Sequence, residues 1–395
     1  MIPLSGGFPN AATFPFKKIT IDTTDDKQFI LEGAKLQSAL QYLPTPGLPA
    51  LVQWLKELQT QTHGPPCPTD LVVTSGSQDG LCKSIEMLME PGSPVIVEEF
   101  IYAGTLTILN PYCPEYLVVK SDASGMIPDS LRSVLAARAA NSGLSQPKVI
   151  YINPTGANPT GTVLSASRRQ EIYNIASEYN MIILEDDPYY FLQYLPDRPP
   201  SFLSLDTEGR VLRFDSFSKV LSSGIRLGFV TGPPPLIERI NLHMQASVLH
   251  ASSLSQVIAY ELLSQWGIQG FMEHVDYIEN FYRRRRDIMT QAAENHLTGI
   301  CHWSVPDGGM FLWLQVPQIK DTWDMLMKKG LERNIMLLPG KGFMPPPAAT
   351  GDNAVQQNSS YMRAAFSVAS EEKFDIAFER LAQLIKDEIK NVDSW

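Results

Sequence analysis

Cysteine, clustered histidine and positive charge are all scarce in this sequence. Its 395 residues include four cysteines, at 67, 82, 113 and 301, and no CxxC pair. That excludes a disulfide scaffold and gives no support to a zinc knuckle or a thioredoxin-type redox pair, so reduced thiols are expected. The six histidines are scattered without HExxH or other ligand spacing, and no metal site is expected. No GxSxG elbow is present, and no GxGxxG follows a strand candidate, which argues against an α/β-hydrolase and against a nicotinamide enzyme. No stretch approaches the ~18 uninterrupted apolar residues of a membrane span. Lys+Arg number 32 against 42 Asp+Glu, a net charge of −10, whereas a nucleic-acid binder carries a basic excess. The opening MIPLSGGFPNAATFPF has neither a secretory nor a transit-peptide pattern. It begins in loop-like sequence, as though a segment preceded it.

What the sequence does hold is material for a large core: 44% of its residues are hydrophobic and 19% charged. Short β-rich runs at 71–74 (LVVT), 94–97 (PVIV), 116–119 (YLVV), 149–152 (VIYI), 181–184 (MIIL), 211–214 (VLRF) and 227–231 (LGFVT) read as strands. Between them, 51–58, 80–89, 166–179 and 235–245 carry apolar residues at helical intervals. The alternation predicts an α/β fold, with a mainly parallel central sheet and helices on both faces. From 252 to 293 the pattern is long and helical, and the RRRR at 283–286 is expected to form a solvated face. A strand (MFLWLQV), a helix pattern at 322–333, YMRAAFS at 361–367 and a terminal amphipathic helix at 371–389 then predict a smaller α+β unit. The expected division is a large domain over 36–291 and a small one built from 1–35 and 292–395.

In α/β sheets ligands collect at the carboxyl ends of the strands, and polar clusters fall there. LVVT is followed by SGSQDG (75–80) opening a helix, VIYI by NPTGANPTG (153–161), MIIL by EDDPYY (185–190), and VLRF by DSFSKVLSSGIRLG (215–228). Singly, each has an ordinary explanation: an N-cap, a turn asparagine, a capping aspartate, a surface lysine. Together they answer the needs of pyridoxal 5′-phosphate, whose reactive chemistry the protein orients and tunes. Lys219 beside cationic groups suits a Schiff base. Arg226 with nearby hydroxyls suits a phosphate dianion. Asp186 can hold a pyridine nitrogen protonated, and Asn158 and Tyr189 can hydrogen-bond the ring's phenolic oxygen.

On these motifs the chain resembles the fold type I pyridoxal-phosphate aminotransferases. SGGFPN (5–10), TSGSQDGLCK (74–83), EDDPYYFLQY (185–194), DSFSKVLSSGIRLGF (215–229) and GMFLW (309–313) are similar to the kynurenine/α-aminoadipate aminotransferase group. The resemblance implies that Lys219 forms the Schiff base and moves the proton, with Asp186 and Tyr189 completing the catalytic set. It implies a cofactor cradle of Ser77, Gln78, Tyr102, Asn158, Asp186, Tyr189, Ser216, Ser218 and Arg226, with Tyr102 stacked on the ring. Arg363 would clamp the substrate α-carboxylate, and Gly7 and Phe8 would line the side-chain pocket with Tyr42 and Asn158. Tyr42 would reach the phosphate of a neighbouring subunit, implying a homodimer with shared sites. The substrates implied are L-2-aminoadipate or L-kynurenine with 2-oxoglutarate, in the mitochondrial matrix or the cytoplasm. Family members carry an arm before the SGG motif, and they more often read PNGNNP where this chain reads NPTGANP. Three alternatives are a broad-range or aromatic aminotransferase, a β-elimination enzyme on the same scaffold, and a cofactor-binding regulator acting on DNA. The last would need a basic winged-helix domain, for which this acidic chain has no room.

Overall fold

A computed structural model describes residues 6–347 and 357–392. Ser5, the first residue of the SGGFPN motif, lies outside the described residues, as do 1–4, 348–356 and 393–395 of the expected small domain.

The centre is a seven-stranded sheet in the order Asp70–Thr74, Gly228–Gly232, Val211–Ser216, Ile182–Asp186, Val149–Ile152, Pro94–Glu98 and Glu115–Val119. Gly228–Gly232 runs antiparallel to both neighbours, and the other pairings are parallel. The strands are near-continuous apolar runs because both faces are covered. Period-two alternation sends Val95 and Val97 into one core, with Leu81, Ile85 and Phe214, and Ile96 into the other, with Ile150, Ile152 and Ile172. All seven expected strands are present. Ile182–Asp186 and Val211–Ser216 each run two residues past the end of their apolar runs, so Asp186 and Ser216 end strands rather than follow them.

Helix ends follow local rules. Ser165 caps Ala166–Glu178 by accepting from the Arg168 amide, and Pro49–His63 stops at Gly64, whose left-handed backbone donates to Gln59 and Thr60 carbonyls. The helical stretch Ser253–Leu297 leaves helical geometry at Gly267. Its first part packs with Trp54, Phe217 and Phe229, and its last turns with the C-terminal sheet.

That second sheet is antiparallel, in the order His302–Trp303, Phe311–Gln315, Tyr361–Ala365 and Leu338–Pro339. Leu312, Leu314, Met362 and Ala364 face a core shared with Met289, Ala293 and Leu297 and with Phe374 and Leu381 of the helix Glu372–Val392. The hairpin Ile19–Asp22/Gln28–Leu31 packs through Phe29 and Leu31 on Leu36, Ala39 and Val257.

The RRRR reading is corrected by the structure. Arg285 is buried, with its Nε donating to the Phe366 carbonyl at 2.6 Å and its guanidinium over the Phe374 ring. Arg283 pairs with Glu279, Arg284 with Glu371, and Arg286 with Asp287 and the Pro306 carbonyl. Only Arg284 is exposed. The carbonyls left free beyond the strand Tyr361–Ala365 draw Arg285 inward, because buried acceptors require donors.

Candidate active site

The carboxyl ends of the parallel strands open onto a cavity of about 430 Å³. Its walls bring together eleven residues singled out from sequence: Ser77, Gln78, Tyr102, Asn158, Asp186, Tyr189, Ser216, Ser218, Lys219, Arg226 and Arg363. They come from the starts of two helices, three strand ends and the second sheet, so the topology alone makes them neighbours.

One end is a cradle. Gly76 (φ +89°) turns the chain into the helix Ser77–Leu88, whose first amides have no side-chain cap. A Cβ on Gly76 would lie 2.5 Å from Arg226 Nη2, so only glycine lets that guanidinium approach. Arg226 donates to Ser218 Oγ at 3.3 Å and to the Ser75 carbonyl at 3.2 Å. A guanidinium, hydroxyls and a helix N-terminus make a site for a phosphate dianion.

At the other end Arg363 lies over the Phe311 ring, 4.2 Å from its centroid, and donates to Asn158 Oδ1. Its Nε is buried without a partner, and it meets no carboxylate among the described residues. Burial lowers its pKa, which marks a cation short of an anion. Lys219 lines the same cavity as the two arginines, 5.9 Å from the Tyr189 ring centroid. Desolvation first, then Arg226 and Arg363, pull its pKa below the usual lysine value, so the neutral, nucleophilic amine is more accessible. Asp186 accepts from the Tyr151 hydroxyl at 2.7 Å, and burial raises its carboxyl to about 7. Tyr102 donates to Gln78 Oε1 at 3.2 Å.

Behind this wall Arg213, fully buried, binds Glu185 (3.1 Å), Asp187 (3.0 Å) and Asp215 (2.9 Å). Gly156 and Gly309 interlock beside the cavity. A Cβ on Gly156 would fall 2.2 Å from the Gly309 nitrogen, so the 153–161 turn is seated against the loop that leads to Phe311.

Sequence reasoning did not single out Tyr151, Asn153 or Phe311. Asn153 donates to the Asp186 carbonyl at 2.6 Å and accepts from the Asn158 amide at 2.7 Å. A phenol inside the aliphatic run VIYI was the available signal for Tyr151. Gly7, Phe8 and Tyr42 lie elsewhere, in a depression with Leu43, Pro44 and Leu249 that shares no lining residue with the cavity. Phe8 and Tyr42 are 63% and 52% exposed. Among the described residues no cluster of ligating side chains could hold a metal, and no helix is long and apolar enough to cross a membrane.

Residues 15–387 match the family model described as aminotransferase class I and II. The chain belongs to that family. As an aminotransferase it is 45% identical to kynurenine/alpha-aminoadipate aminotransferase, mitochondrial, of Bos taurus, covering 98% of this chain and 92% of the relative. The corresponding Rattus norvegicus protein is 44% identical over the same shares. Among solved structures, the Pyrococcus horikoshii kynurenine aminotransferase superposes with a TM-score of 0.82 at 32% identity, covering 90% of this chain and 84% of that one. Members of this family use pyridoxal phosphate.

Proposed function

We propose that this aminotransferase transfers the amino group of L-2-aminoadipate or L-kynurenine to 2-oxoglutarate, using pyridoxal 5′-phosphate in two half-reactions with ping-pong kinetics. The observation that carries the reading is Lys219, which has no carboxylate partner among the described residues and shares one cavity with Arg226, Arg363 and Asp186. The choice of substrates rests on the names of the mammalian relatives and of the Pyrococcus structure.

The residues present fit the cofactor. Bound there, it supplies a carbonyl that condenses with amines and a ring that draws electrons from the substrate Cα. Arg226, Ser77, Gln78, Ser216, Ser218 and the helix amides would hold the phosphate. Asp186 would offer its carboxylate to the ring nitrogen, Asn158 and Tyr189 would hydrogen-bond the phenolic oxygen, and Tyr102 would stack on the ring. Lys219 Nζ serves as nucleophile and proton carrier, because its pKa is already lowered. Arg363 receives the α-carboxylate as a bidentate fork. Gly7, Phe8 and Tyr42 join the site of a second copy, so the active unit is a homodimer. The large unit is 36–291 and the small one is built from 1–35 and 292–395, and the compartment is the mitochondrial matrix or the cytoplasm, the former supported by the word mitochondrial in the relatives' names.

The test is Lys219→Ala. The variant is expected to fold, to lose the pH-dependent visible band of the cofactor-loaded protein, and to lose transamination with every donor. A normal band with retained turnover overturns the reading. Half-reactions across 2-aminoadipate, kynurenine and aromatic donors rank the substrates.

A further inference from the structure

We infer that Tyr151 is a positioning residue for Asp186: its buried hydroxyl donates to that carboxylate and holds it aimed at the cofactor's ring nitrogen. This rests on the reading of Asp186 given above.

Tyr151 is 1% exposed and lies mid-strand in a cluster with Val72, Val95, Val97, Leu184 and Leu212. A hydroxyl in such surroundings is costly unless it is bonded, and its bond runs to Asp186 Oδ2 at 2.7 Å. Burial holds the phenol well above its ordinary pKa, so it remains a donor.

The neighbouring carboxylates show why that one donor matters. Glu185 accepts from the Phe202 and Leu203 amides at 2.8 and 3.1 Å and pairs with Arg213, as do Asp187 and Asp215. Asp186 has no cation among the described residues. Asp187 and Asp215 face it as like charges and favour its neutral form, and Tyr102 and Tyr189 stand near it on the cavity side. The Tyr151 bond is the side-chain contact that favours the ionised form. Asn153, bonded to the Asp186 carbonyl, fixes the backbone from which the carboxylate projects. Without the phenol the Asp186 carboxyl rises further, so less of it is ionised near neutrality and a protonated ring nitrogen meets a weaker anionic partner.

The experiment titrates apoenzyme with pyridoxal phosphate and with its carbocyclic analogue, in which CH replaces the ring nitrogen, following tryptophan fluorescence at neutral pH. Wild type is expected to prefer pyridoxal phosphate. Tyr151→Phe should weaken pyridoxal phosphate about tenfold, the scale of one hydrogen bond to a charged group. The analogue's affinity should stay within about twofold, since this ligand has no nitrogen for Asp186 to meet. In an Asp186→Asn background, the same Phe substitution should add nothing. Equal weakening of both ligands would mean that Tyr151 only supports the fold, and no weakening of either would mean that Asp186 needs no help; each overturns the inference. A wild type that does not distinguish the ligands overturns the pairing of Asp186 with the ring, and this inference with it.

Discussion

Arg363 combines burial, an orphaned Nε and two aromatic faces, those of Phe311 and Phe343, with no carboxylate partner among the described residues. Lysine would keep the charge but lose the planar fork. Arg363→Lys is therefore expected to reduce kcat/KM for all amino-acid and oxo-acid substrates alike, by about 2–4 kcal/mol, with cofactor content unchanged. Steady-state kinetics on several donors checks this, and a loss confined to dicarboxylic substrates would contradict the clamp role. Glu98 makes a separate prediction about stability. It is buried, bonded to the Ser121 hydroxyl at 2.9 Å, and its carboxyl is raised to about 7 chiefly by desolvation. The folded state thus holds the proton more tightly than the unfolded chain. Its contribution is fully present below about pH 4.5 and is lost as pH rises to about 7. Glu98→Gln should unfold like wild type near pH 4.5 and become progressively more stable relative to it up to about pH 7, by on the order of 3 kcal/mol. Denaturant melts across that window read the difference, which the titrations of Asp186 and Asp215 leave intact because both proteins share them.

The element that positions Arg363 is the seam between the 153–161 turn and the loop before Phe311. Gly156 has a left-handed backbone (φ +55°) and abuts Gly309, which donates to the Leu192 carbonyl at 2.8 Å. Gly156→Ala combines a forbidden contact with left-handed strain, and a loss of about 2–4 kcal/mol is expected. It should also raise KM, since Asn158 and Arg363 meet across this seam; unchanged urea midpoints would refute the account. Elements were legible from sequence wherever both faces of a strand are apolar, which is why VIYI and LVVT stand out. Their polar ends were less so: the ladder pairing Phe214 with Asp186 carries the strand past its hydrophobic run. The lining of the cavity was legible because much of it comes from strand-end turns whose residue types stand out from the apolar runs before them. Tyr151 was hidden because a tyrosine in a strand reads as core, and Arg285 because periodicity shows a helix face but not what packs against it.

At the scale of the whole molecule, the separation of Gly7, Phe8 and Tyr42 from the cavity is accounted for by the proposed homodimer, in which a second copy supplies them. In the proposed twofold dimer, a Lys219→Ala subunit paired with a Tyr42→Ala subunit places both defects in one shared site and leaves the other site intact. Subunit exchange between them should therefore regenerate up to about one quarter of the wild-type sites. Activity that never rises above that of the separate variants would show sites complete within one chain. The helical stretch Ser253–Leu297 ties the molecule together in another way. Val275 packs in the core beside the large sheet, Met289 packs in the core of the second sheet, and Ile278 touches both. No backbone break lies between them, since the departure from helical geometry falls earlier, at Gly267. A continuous ladder of amides thus passes from one core to the other. Opening it in either place releases both, so the region around Ile278 belongs to the last cooperative unit to exchange its hydrogens with solvent, while the turn at Gly267 breathes independently.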